Sequence, residues 1–88
     1  LTVADLDADQ KKHYGIKQGV LVTVSENPAA ASGIRKGDII LRINNTDVAS
    51  RSDFQRLVSK VDRKKVVVLL RLRNSMISYV TVWPVDSK

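Results

Sequence analysis

Eighty-eight residues, 43% of them hydrophobic, are enough for one compact domain and leave no room for a second core. The absence of cysteine excludes disulfides, thiol catalysis and cysteine–metal clusters, and no apolar run approaches the roughly 18–20 residues of a membrane span. The formal net charge of +6 is uneven: residues 1–50 hold six basic and six acidic side chains, whereas residues 51–88 hold nine basic ones against Asp53, Asp62 and Asp86.

Leu1 to Leu6 alternates apolar and other residues as a half-buried strand does. Asp7 with Gln10 three residues later has the form of a capping box, so a short helix is predicted to follow. Gly15 suits the left-handed position that ends it. Gly19 to Val24 is strongly β-prone and forms the second predicted strand. In Asn27-Pro28-Ala29-Ala30-Ala31-Ser32-Gly33, a capping residue, a first-turn proline, three alanines and a stop predict a second short helix. Arg35 to Asp38 reads as a tight turn, in which Asp38 can accept from turn amides. Ile39 to Ile43 is then a strand, and Asn44-Asn45 tolerates the positive φ needed to fold back toward Asp47-Val48.

Ser50 and Asp53 repeat the capping pattern ahead of Phe54, Leu57, Val58 and Val61, one apolar stripe of a helix over about Arg51–Val61. Val66 to Leu72 and Ile77 to Val85 form two closing strands around a turn at Arg73-Asn74-Ser75. Two or three short helices cannot cover both faces of a sheet with this many strands. The predicted class is therefore α+β: a curled antiparallel sheet of about five to six strands, partly an open barrel or sandwich, capped by two to three helices. Its edge strand is expected to lie exposed beside the longer helix.

At this point the chain resembles a PDZ domain of the bacterial HtrA/Do serine-protease kind. The residues that carry the resemblance are Gly19-Val-Leu-Val-Thr-Val followed by Asn27-Pro-Ala-Ala-Ala-Ser-Gly-Ile-Arg-Lys-Gly-Asp-Ile-Ile-Leu-Arg-Ile-Asn-Asn. The parts are common, but their joint order is specific: glycine and apolar strand, Pro-Ala-Ala, Gly-apolar, two variable residues, Gly-Asp, apolar strand. The resemblance spans nearly all of residues 1–88 as a single domain, and the opening segment is most similar to a second, C-terminal PDZ domain of such a protease. With Leu in first position and no signal segment, the chain is expected to be excised from a longer protein.

The resemblance implies recognition of an extended peptide, usually a free C terminus, added as a strand to the sheet edge alongside the longer helix. It maps the ligand-pairing strand onto Leu1, Thr2, Val3, Ala4 and Asp5, and the groove face of the helix onto Arg51, Gln55 and Val58. Val58 with Leu1 and Val3 would line an apolar pocket for the last ligand residue, while Arg51 and Gln55 would meet the residue two before it. The carboxylate-binding loop of the pattern would lie mostly upstream of Leu1 and is expected to be truncated. The implied partners are protein C termini, misfolded or unfolded segments and the other domains of a periplasmic protease, with no cofactor. The similarity also fits a PDZ domain of an intramembrane metalloprotease.

Nothing in the sequence prepares catalysis. His13 is the sole histidine, and no Gly-x-Ser-x-Gly elbow, phosphate-binding Gly-x-x-x-x-Gly-Lys loop or paired-carboxylate pattern occurs. Two other readings remain: a nucleic-acid-binding barrel, for which Arg63-Lys64-Lys65, Arg71 and Arg73 speak, and a structural module that docks protease protomers. The first lacks stacking platforms, because Tyr14, Phe54, Tyr79 and Trp83 are the only aromatics and Phe54 belongs to the predicted core.

Overall fold

The chain opens on strand β1 (Thr2–Asp5) and passes directly into helix α1 (Ala8–Tyr14). These elements belong to a computed structural model that describes residues 1–27, 29–61 and 65–83. The capping box at α1 is complete: the Asp7 carboxylate accepts from the Gln10 amide at 2.7 Å, and the Asp7 amide donates to Gln10 Oε1 at 3.0 Å. At the other end Gly15 takes φ 70°, and the amides of Gly15 and Ile16 donate back to the carbonyls of Lys12 and Lys11. No residue of α1 itself is buried. Leu6 and Ile16, which flank it, pack into the sheet and fasten the helix at both ends.

Gly19 then admits the chain to β2 (Val20–Val24). Its φ is +136°, and a Cβ there would stand 3.1 Å from Ile39 Cγ2 and 3.2 Å from the Ile40 carbonyl. The helix expected over residues 27–33 is not found in the described part of that segment, where 29–33 are turns. Pro28 lies outside the described residues, and its neighbours make successive turns in which Ala30 bonds back to Glu26, Ser32 to Ala29, and Ile34 to Ala29. With Gly33 bonding back to Ala30 as well, the described residues make turns of three-, four- and five-residue spacing rather than an α-helical ladder, as suits a segment too short to offset helix nucleation.

After the turn at Arg35–Asp38 come β3 (Ile39–Ile43), a two-residue β4 (Thr46–Asp47), α2 (Arg51–Lys60), β5 (Val67–Arg73) and β6 (Met76–Val82). Asn44 supplies the left-handed residue between β3 and β4, and Asn74 and Ser75 supply two between β5 and β6. The expected end of the last strand at Val85 and most of the Arg63–Lys65 cluster fall outside the described residues. All pairings are antiparallel, in the order β1-β2-β3-β5-β6, with β4 hairpinned onto β3.

The two faces of this sheet bury different clusters. Val20, Val22, Ile40, Leu69, Val80 and Val82 form the larger core with Val3, Ile34, Ile43, Val48 and Phe54 of α2. Leu21, Ile39, Leu41 and Leu72, on the opposite face, join Leu6 and Ile16 near α1. The period of two along β2 thus sorts its residues between the helices.

Among the described residues one polar residue, Asp38, is buried with the core. Asp38 accepts from the Arg35 amide at 2.8 Å and from Arg73 Nε and Nη2 at 2.7 and 2.6 Å. Both Arg71 and Arg73 also donate to the Gly33 carbonyl, closing the 27–38 segment onto β5. Burial alone would raise the Asp38 pKa, but these hydrogen bonds and the two guanidinium charges outweigh it and hold the carboxyl below its ordinary value.

Candidate functional site at an open sheet edge

Among the described residues β1 is the terminal strand of the sheet and pairs only with β2. Its register shifts between Thr2 and Val3, where the Thr23 hydroxyl donates to the Thr2 carbonyl at 3.1 Å. Among the described residues the other side of β1 presents an unpaired backbone edge, and α2 packs against both β1 and β3. An edge of this kind is a template for one more strand.

The helix is aimed by its N-terminus. Ser50 Oγ accepts from the Asp53 amide at 3.2 Å, as the sequence pattern predicts. The reciprocal bond is displaced by one residue, since the Asp53 carboxylate accepts from the Ala49 amide. Its hydrogen bond from Arg56, then that amide, hold the Asp53 carboxyl below its ordinary pKa. The amide of Arg51, a free donor of the first turn, donates to Asp5 Oδ1 at 2.6 Å. The start of α2 is therefore tied to the end of β1. Ten helical residues run about 15 Å and four strand residues about 13 Å, so the two elements match in length.

The expected site residues fall into three groups. Leu1 and Val3 pack into the larger core beside Phe54 and Leu57; Val3 is only 5% exposed and forms floor rather than open wall. Thr2 and Ala4 alternate with them, and Asp5 is exposed with its carboxylate engaged by α2. On the helix, Phe54 is buried and Leu57 and Val61 are half-buried, whereas Val58 stands 47% exposed. The Arg51 and Gln55 side chains are exposed and make no hydrogen bond or ion pair among the described residues.

Sequence reasoning assigned Asp5 and Arg51 separately to a ligand and missed their bond to each other. The signal was present: a carboxylate ending the edge strand, and a helix start whose first amides need acceptors. Such an arrangement offers backbone hydrogen bonds and a half-apolar wall. Among the described residues no group of three or more His, Asp or Glu side chains is placed to hold a metal ion.

Comparison with known proteins agrees with this geometry. The chain is 35% identical over 82 residues to a probable periplasmic serine endoprotease, DegP-like, of Pseudomonas putida, covering 92% of this chain. Its counterparts in Ectopseudomonas mendocina and Hahella chejuensis are 34% and 32% identical. The chain spans only 17% of the length of the first of these relatives. Among solved structures, an HtrA-type protease, AlgW, with a decapeptide superposes with a TM-score of 0.88 at 20% identity, over 100% of this chain and 30% of that one. A second AlgW structure gives 0.74 over 94% of this chain and 27% of that one, again at 20% identity. That likeness is one of fold. The family model described as PDZ domain matches residues 4–83, from within β1 to the residue after β6, and this chain belongs to the PDZ domain family.

Proposed function

We propose that this chain is a peptide-binding module that takes an extended protein segment, or a free C terminus, as an added strand on β1. In the parent protein it acts as the substrate-binding or regulatory domain of a periplasmic HtrA-type serine endoprotease, with catalysis residing in another domain. The observation that carries the reading is the unpaired side of β1, held beside α2 by the bond between Asp5 and Arg51. Support comes from the relatives, which are named as periplasmic serine endoproteases, and from the AlgW structures, which are described with a decapeptide.

The energetics fit a modest, adaptable binder. A four-residue edge offers a few backbone bonds of about 1 kcal/mol each, indifferent to ligand sequence. One apolar side chain buried against Val58 and the Leu1 side chain adds about 2 kcal/mol. Set against the cost of association, these gains alone leave only weak binding, so further contacts along the peptide must supply any micromolar affinity.

A titration of isotope-labelled protein with a library of decapeptides tests this. Amide shifts clustering on residues 1–5 and 51–58 are the expected result. Salt-sensitive binding of an oligonucleotide, with no response to any peptide, would replace this reading by the nucleic-acid one.

A further inference from the structure

A second concave site lies away from the β1 edge and shares no residue with it. The cleft, broadly open to solvent, spans about 470 Å³ between the end of α1, the Arg35–Asp38 turn and the β5–β6 turn. Its lining includes His13 and Tyr14, then Arg35 and Lys36, then Arg73 and Asn74. The volume falls in the range of about 300–1,000 Å³ that holds small molecules.

The charges around it do not balance. Asp38 is the only acid in the lining, and its carboxylate is spent on two bonds from Arg73 and one from the Arg35 amide. The side chains of Arg35 and Lys36 form no ion pair among the described residues. Two cations therefore face the cleft uncompensated. One wall is aromatic: the His13 and Tyr14 rings meet edge to face with centroids 5.0 Å apart. Leu72 adds an apolar surface.

We propose that this cleft is a binding site for a small ring-bearing monophosphate ester. A phosphate monoester carries about −1.5 to −2 charges at neutral pH, which matches the two free cations better than a single carboxylate does. Arg35 provides a planar fork for the phosphate oxygens and Lys36 a mobile point charge. The ring of the ester lies against the exposed Tyr14 ring. Arg73 stays on Asp38, so the site is assembled before the ligand arrives.

Phenyl phosphate serves as the probe, followed by amide shifts of labelled protein at low salt. The expected result is a saturable response at His13, Tyr14, Gly37, Asn74 and Ser75, with Thr2–Asp5 and Arg51–Val58 unmoved. The double variant Arg35→Ala, Lys36→Ala removes exposed side chains that make no internal bond and should weaken binding by roughly tenfold or more, about 1.4 kcal/mol. Lys36→Glu alone should do the same by reversing a charge. Inorganic phosphate should bind several-fold more weakly, and phenol not at all. Shifts spread over lysines and arginines elsewhere, or an affinity unchanged in both variants, would overturn the site. Equal affinity for inorganic and phenyl phosphate would overturn the ring-bearing class of ligand.

Discussion

The carboxylate of Asp5, the last residue of β1, accepts a 2.6 Å hydrogen bond from the amide of Arg51, the first residue of α2. This bond joins the open sheet edge to the helix that faces it and sets where the slot between them ends. A helix amide without an internal partner is satisfied in the process. Asp5→Ala should therefore cost about 1 kcal/mol of stability, as loss of a helix cap does, and should weaken peptide binding several-fold. Chemical denaturation and a peptide titration on the same variant check both effects; Asp5→Asn, which keeps an acceptor, should restore most of each.

Val58 separates the groove from the core. It is 47% exposed while Phe54, on the same helix, is 5% exposed. Val58→Asp should leave the melting temperature within about 4 °C of the parent, since substitutions of this kind stay near ±0.5 kcal/mol. Peptide affinity should nevertheless fall by roughly tenfold, the cost of about 1.4 kcal/mol. Arg51→Glu should invert any preference for acidic ligand residues two positions before the C terminus, measured on a peptide array.

The pairing of buried Asp38 with half-buried Arg73 predicts how stability responds to acid. Asp38 has its pKa lowered in the folded protein, so its contribution is fully present above the ordinary carboxylate value of about 3.9. It is lost as pH falls through the lower, folded value. Thermal melting should therefore weaken as the pH drops below about 4, and Asp38→Asn should flatten that dependence. At neutral pH the same substitution keeps one acceptor oxygen but leaves Arg73 without its counter-charge, and should cost about 3 kcal/mol.

Gly19 is required by two constraints at once. Its φ of +136° is strained for any side chain, and an added Cβ would press on the Ile39 side chain and the Ile40 carbonyl. Gly19→Ala should destabilise the domain by about 2 kcal/mol. Gly37→Ala meets no neighbouring atom within 4 Å, and at φ +94° it should cost only the backbone strain. Paired denaturation curves separate the contact from the conformational term.

Local signals made most of this architecture legible. Asp7 with Gln10, Gly15, and the 54-57-61 stripe each act within a few residues, and the structure realises them as read. The alanine run at 29–31 misled because propensity needs length to express itself, and the segment is instead closed by Arg71 and Arg73 donating to Gly33. Those bonds cross 38 and 40 residues, beyond any local pattern. Sequence reasoning offers Asp38 only turn amides and counts Arg71 and Arg73 toward a basic surface, so it misses the pairing of buried Asp38 with Arg73. The Asp5–Arg51 tether spans 46 residues and escaped for the same reason.

The account rests on β1 accepting another strand, and intermolecular contacts between backbone protons report that most directly. With a labelled decapeptide bound, the expected result is a ladder of nuclear Overhauser effects from peptide backbone to Thr2–Asp5, alternating as antiparallel pairing requires. A bound peptide whose contacts run to β6, or to side chains of α2 without any to the β1 backbone, would contradict it.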